Sequence, residues 1–269
     1  MSTALFTDRL ELNPAAGIRA LRTAVRFWFV VAVLGQWVFL YFIVALYGAS
    51  TVTGDFQAWN RNKFLFKGYV AGDTAGNLAF AAHALLAAIM AFGGAIQLIP
   101  QIRARALSIH RWNGRLFLLT AFGVSLSGLY MSWVRGARPS ILGAAGTSLN
   151  GVLIMIFAAL AWRTALTRDV SAHRHWALRT YLVANGQWFI RVGFMAWMIL
   201  NHGQDRGFYR IWNFGCYLFP LAVLELYLRA KQSADPRGRY AMATGLIVLT
   251  LLMGLGIFGL SMFYGKVMK

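Results

Sequence analysis

Two side chains in this sequence are chemically active and sit where a membrane leaves them nothing to react with but protein or ligand: His83 and Arg191. His83 lies in a long apolar run, on one helical face with Phe80, Ala87, Met90, Gly94 and Gln97. A histidine at that depth either ligates a cofactor or handles a proton, or it is a neutral imidazole hydrogen-bonded to a neighbouring helix. Arg191 lies near the middle of another run, where a charge costs at least about 2.5–3.5 kcal/mol. Gln187 precedes it by four residues and points the same way. Either Glu225, the one acid within an apolar run, reaches Arg191, or the carboxylate or phosphate of a bound ligand does. Asn150 opens a further run at a similar depth. His83, Asn150, Gln187 and Arg191 are therefore expected to line one polar pocket.

A second group lies at the other membrane edge. His110-Arg111-Trp112-Asn113-Gly114-Arg115 precedes one apolar run, and His173-Arg174-His175-Trp176 precedes another, with Arg179 one turn further in. Arginine and tryptophan suit the headgroup layer, so one reading is a pair of clamps for anionic lipid headgroups. The other is a cofactor site. Histidines on two helices can ligate haem iron while arginines meet its propionates. The candidate cofactor-binding set is His83, His110, His173, Arg111, Arg115, Arg174, Arg179, Gln187 and Arg191. His83, His110 and His173 are its candidate haem ligands, and a quinone is the alternative to haem b.

These residues need a scaffold, and the composition names it. Of 269 residues, 59% are hydrophobic and 13% charged, too few charges to cover a water-soluble domain. Runs of about 20 apolar residues match a hydrocarbon core about 30 Å thick. The expectation is an all-α integral membrane protein of about seven transmembrane helices, one domain over residues 1–269. The spans fall near 27–47, 77–99, 114–134, 147–165, 178–200, 211–228 and 241–264. Residues 1–26 form an amphipathic lead-in, in which the Asn13-Pro14 helix signal starts an apolar face of Ile18, Leu21 and Val25 that runs on to Phe29 in the first span, against Arg19, Arg22 and Arg26. No cleavable leader is expected. Span three carries a small or polar stripe, Gly114, Ala121, Ser125, Gly128 and Ser132, suited to close helix approach or to a ligand.

The net charge of +18 sits mostly in short loops, which excludes nucleic acid in favour of membrane lipids. Sixteen Lys and Arg fall on the side of the amino terminus and nine on the other, so the amino terminus is expected in the cytoplasm and the carboxyl terminus outside. The longest outer loop, residues 48–76, carries Phe56, Trp59, Phe64, Phe66 and Tyr69 and is expected to fold onto the membrane surface. The single cysteine, Cys216, excludes an internal disulfide and reads as a small buried residue. No metal-ligand spacing or nucleophile–base pair marks a hydrolase.

The order of His83, Gly94-x-x-Gln97-x-x-Pro100-x-x-Arg103, His110-Arg111-x-x-Gly114-Arg115, His173-Arg174-x-Trp176-x-x-Arg179 and Arg191 resembles a bacterial membrane family, domain of unknown function 2306. The likeness runs from about Ala81 to Phe194. Ala177 stands where that family often has Met, and His175 is additional. The resemblance implies a multi-pass protein of the bacterial inner membrane and carries His83, His110, Arg111, Arg115, His173, Arg174, Arg179 and Arg191 into the family pattern. It names no activity. The functional expectation is an anionic amphipathic cofactor, haem or quinone, bound between spans two to five for electron transfer. A non-catalytic accessory subunit of a larger membrane complex and a lipid or small-solute transporter are the alternatives.

Overall fold

The structure, a computed structural model, describes residues 13–62, 67–138 and 140–268. The first twelve residues of the lead-in with Arg9, the loop residues Lys63, Phe64 and Phe66, and Lys269 lie outside the described residues. Every described element is a helix, and no strand occurs among the described residues.

The first helix begins where the Asn13-Pro14 signal places it. The Asn13 side chain accepts from the N–H groups of Ala15 at 2.9 Å and Ala16 at 3.2 Å, and Pro14 occupies the first turn. This helix, α1 (Pro14–Phe42), runs into a π-helical turn (Ile43–Gly48) and then α2 (Ala49–Thr53) as one 40-residue rod. The lead-in is thus continuous with the first span, and Leu21 and Ala24 pack on Ala243 and Leu246. Val30, Leu34, Trp37 and Tyr41 are exposed at spacings of four, three and four, the stripe that a helix turns towards lipid.

Among the described residues, six helices are each long and apolar enough to cross a membrane. They are the rod Pro14–Thr53, α3 (Thr74–Gln97), α5 (Leu107–Trp133), α6 (Ile141–Leu166), α9 (Phe208–Gln232) and α10 (Pro236–Val267). A short α4 (Pro100–Arg105) links α3 to α5.

The span expected at 178–200 is instead two helices, α7 (Val170–Ala184) and α8 (Gly186–Leu200). Each has 15 residues, about 22 Å, short of a hydrocarbon core about 30 Å thick. Asn185 makes the break. Its backbone leaves the helical region, and its Nδ2 donates to the Tyr181 carbonyl at 2.8 Å. The following Gly186 lacks the side chain that would favour continuation. The two halves then serve different neighbours: α7 packs along α6, and α8 packs along α10. At the second contact, a Cβ on Gly256 would collide with the Val192 carbonyl oxygen.

The loop after α2 sends one of its aromatics inward. A 3₁₀ turn (Phe56–Arg61) inserts Trp59, 2% exposed, against Phe80, and the indole Nε1–H donates to Ser50 Oγ at 2.9 Å. Phe56 stacks on Tyr69. Trp59 is tucked into protein, where a buried acceptor meets its indole N–H, and Phe56 and Tyr69 are half-buried against it. Cys216 is fully buried.

Candidate functional site

Between the helices lies a cavity of about 240 Å³, where a single water needs about 10–15 Å³. The π turn contributes Ile43 and Tyr47, α3 contributes Phe80, His83, Ala87 and Met90, and α6 contributes Thr147 and Asn150. From α8 come Gln187 and Arg191. The cavity extends to Asn62, Ala137 and Arg138 at the end of the bundle opposite the arginine clusters. His83, Asn150, Gln187 and Arg191, which depth alone groups in the sequence, line this one space. So do Ser125, Gly128 and Ser132 of the small stripe. A Cβ on Gly128 would lie 3.3 Å from the His83 ring, so the small residue here makes room for the imidazole.

His83 Nδ1 lies 3.0 Å from the Val124 carbonyl oxygen and 3.3 Å from Ser127 Oγ. A carbonyl only accepts, so Nδ1 carries the proton and Nε2 keeps its lone pair. A backbone carbonyl holding the far nitrogen is the arrangement that fixes a ligating imidazole.

Arg191 is charged, lies inside the bundle and has no acid partner among the described residues. Among the described residues its contacts are a short hydrogen bond from Nη1 to the Gln187 carbonyl and the face of Phe39, 5.4 Å from the ring centroid. Glu225 does not reach it. That carboxylate instead takes Arg179, at 2.9 Å from Nε and 2.7 Å from Nη2. Arg191 is close enough to His83, Tyr47, Tyr209 and Tyr264 to act on each electrostatically. Among the described residues lining the cavity there is no Asp or Glu, whereas two arginines are there. The space therefore favours an anion. Among the described residues, the Oδ1 of Asn150, 2% exposed, and the indole nitrogen of Trp188 are buried without a hydrogen-bond partner.

The other sequence candidates lie elsewhere. Val124, which holds His83, is 14 residues along α5 from His110, about 21 Å. The structure therefore keeps His83 apart from His110 and brings His110 within electrostatic reach of His173. No group of three or more His, Cys, Asp or Glu that could hold a metal ion occurs among the described residues.

Much of the motif pattern at this end joins helices. Gln97 Nε2 donates to the His110 carbonyl at 2.7 Å, and Asn113 Nδ2 donates to the Gly93 carbonyl at 2.8 Å. A Cβ on Gly114 would lie 2.8 Å from Gln97 Nε2, so the glycine seats that amide. His173 Nδ1 lies 2.9 Å from the Ala161 carbonyl, which ties α7 to α6. Arg179, paired with Glu225, also stacks over Trp176 at 5.0 Å, and Arg115 stacks over Trp112 at 4.8 Å. Arg111, Arg115 and Arg174 remain exposed.

Several residues of the site escape a reading by hydropathy. Tyr47 and Tyr209 look like ordinary interfacial aromatics. The helix break was signalled by the turn-forming pair Asn185-Gly186, hidden because both flanks are apolar. Arg135 carried no local signal at all. It is 8% exposed and clasps the outer loop: Nε donates to Asp73 Oδ2 at 2.7 Å, Nη1 to the Lys67 and Gly68 carbonyls at 2.8 and 3.1 Å, and Nη2 to Asn77 Oδ1 at 2.7 Å. The clasp holds the loop whose Asn62 reaches the cavity.

Hydrogen bonds from Arg135 and the Gly76 N–H hold the Asp73 carboxyl below the ordinary aspartate range. A depressed folded-state value contributes stability that is full above the ordinary aspartate value and lost as pH falls through the depressed one. Thermal midpoints of the wild type should therefore fall on the acid side of the ordinary carboxylate range, and Asp73→Asn should flatten that fall. Identical acid limbs in the two proteins would remove the clasp as their cause.

Residues 80–228, more than half of the chain, match the family described as "Predicted membrane protein (DUF2306)". No curated protein and no solved structure matches the chain.

Proposed function

The chain belongs to the DUF2306 family of predicted membrane proteins, and we propose that it binds an anionic amphipathic small molecule in the cavity inside its helix bundle. The observation that carries this reading is Arg191, a guanidinium facing a cavity with no acid among its lining residues. A charge held at that depth at a cost of at least about 2.5–3.5 kcal/mol is explained by an anion that it serves. The apolar wall of Phe80, Ala87 and Met90 suits the rest of an amphiphile. On the orientation that the positive charges favour, the cavity extends towards the outside.

Haem b, whose propionates are anionic, is the redox candidate, with electron transfer as the role, whereas a neutral quinone offers Arg191 no anion. His83 supports haem, because its Nδ1 is held and its Nε2 is free to ligate. His110 and His173 lie too far from it to share the same iron. A transporter of the same anion is the second reading. It is favoured by the α7–α8 break, since interrupted helices at a buried site are how many carriers hold charged substrates.

The test is to purify the protein in mild detergent and identify what comes with it. Absorption spectra as isolated and after dithionite report haem, and mass spectrometry of the organic extract reports other amphiphiles. An anionic amphiphile at near-stoichiometric occupancy is expected. A protein that carries none, and that binds neither haem nor an anionic lipid when titrated, would be incompatible with the proposal.

A further inference from the structure

We propose that the end of the cavity at Arg138 is an anion-selecting mouth, where the ligand's anionic group is captured before it passes inward to Arg191. The proposal rests on the cavity reading and names where the ligand enters and which residue selects it.

Position is the first observation. Arg138 lies in the connection between α5, which ends at Trp133, and α6, which begins at Ile141. It therefore sits past the ends of two helices of membrane length. Yet it lines the same cavity as Arg191, together with Ser132 and Ala137. The cavity runs from the edge of the bundle into its interior. Ser132 is eight residues along α5 from Val124, whose carbonyl holds His83, a rise of about 12 Å. Arg191 is within electrostatic reach of His83. The two arginines are an outer and an inner station of one space.

Charge is the second observation. Arg138 Nη1 donates to the Ser132 carbonyl at 3.0 Å, and its guanidinium stacks over Trp133 at 4.8 Å. The stacking platform is itself fixed, because the Trp133 indole N–H donates to Ser148 Oγ on α6 at 2.7 Å. These contacts hold the guanidinium in place without neutralising it. Arg138 has no acid partner among the described residues.

Lys67 adds to the same rim. Its Nζ donates to the Arg135 carbonyl at 2.9 Å and lies 3.7 Å from where a Cβ on Gly136 would stand. Asp73 is the acid at this rim, and Arg135 takes it at 2.7 Å. Among the described residues, Lys67, Arg135 and Arg138 thus face one carboxylate, and the surplus is positive. A cleft with charge of one sign and apolar walls focuses its field and concentrates the opposite ion. A neutral quinone or an alcohol gains nothing from such a rim, and a cation is repelled.

The test places a reporter thiol at the mouth, Ala137→Cys, in the full chain in phosphatidylcholine nanodiscs. The wild type is the blank, since its single cysteine, Cys216, is fully buried. An anionic sulfonatoethyl thiosulfonate and a cationic trimethylammonioethyl thiosulfonate are compared, each rate divided by that of the same reagent on free 2-mercaptoethanol. At low salt the anionic reagent should be preferred at least about tenfold, and high salt should shrink the preference. Adding Arg138→Gln should remove most of the preference. Arg138→Lys, which keeps the charge, should keep it. Attaching the sulfonate at Ala137→Cys should slow the loading of radiolabelled dodecanoate and dodecyl phosphate at least about tenfold, with empty nanodiscs as the blank.

Should Arg138→Gln fail to fold, Lys67→Gln stands in and should lower the preference severalfold. A thiol that reacts with neither reagent, or with both alike, overturns the mouth. So does a preference unchanged in folded Arg138→Gln, or in Lys67→Gln where that stands in. Loading unchanged after sulfonate attachment overturns the entry route. In each of these cases saturable binding of either probe to the unlabelled protein leaves the cavity reading standing. Saturable binding of neither probe overturns that reading, and the route with it.

Discussion

Arg191→Met is expected to abolish retention of the anionic ligand, about a hundredfold loss in affinity, while leaving the bundle as stable as before or more so. Truncating one partner of a buried charge pair costs roughly 2–5 kcal/mol of binding, and a hundredfold is about 2.7 kcal/mol. The stability half of the expectation runs opposite to the usual effect of removing an arginine from inside a helix bundle. Arg191 has no carboxylate among the described residues, only the Gln187 carbonyl and the Phe39 face. Methionine fills similar volume without a charge to desolvate, so the unliganded protein loses little. The measurement is ligand content by mass spectrometry together with the thermal midpoint in detergent. A variant that keeps its ligand at wild-type level would remove Arg191 from the site. One that unfolds would make the arginine a structural residue with a partner of its own.

Gly256→Ala should produce the largest loss of stability. A methyl there would collide with the Val192 carbonyl oxygen, a backbone atom that cannot rotate away. Overpacking of this kind costs roughly 3 kcal/mol, equivalent to a fall of about 6–12 °C in the midpoint. The same helix supplies its own controls. A Cβ on Gly245, Gly254 or Gly265 would meet nothing within 4 Å. Alanine at these positions should leave stability unchanged or raise it by up to about 1 kcal/mol, since glycine is a poor helix former. Equal midpoints for Gly256→Ala and Gly254→Ala would mean that α8 and α10 do not meet at Val192.

The contrast extends to Arg135, which is buried where Arg191 is half-buried. Every nitrogen of Arg135 has an acceptor: Asp73, Asn77 and two backbone carbonyls. Its removal would orphan those acceptors and free the outer loop. The protein thus holds one arginine that structure fully satisfies and one that structure leaves open, and the open one faces the cavity.

By itself the sequence determined the class of the molecule and the depth of its chemical residues. Apolar runs of membrane length, arginines gathered in short loops and the Asn13-Pro14 start are local signals. A helix needs only local bonds, so these signals survive without knowledge of the neighbours. Depth along each helix follows from counting, which is why His83, Asn150, Gln187 and Arg191 group together before any coordinates are known.

Tertiary structure decided everything that depends on which helix faces which. Hydropathy runs straight through Asn185-Gly186, and only the separate packing of α7 on α6 and α8 on α10 turns that pair into a break. The partner of Glu225 was equally undetermined. Depth left Arg191 eligible, and the fold gave the carboxylate to Arg179. Trp59 was drawn inward by the Ser50 hydroxyl, and Arg135 was matched to Asp73 across 62 residues. The same holds for the motif residues Gln97, Asn113 and Gly114, whose contacts join α3 to α5. Long-range partners are chosen by rotation about the helix axis and by side-chain reach, and neither is written in spacing along the chain.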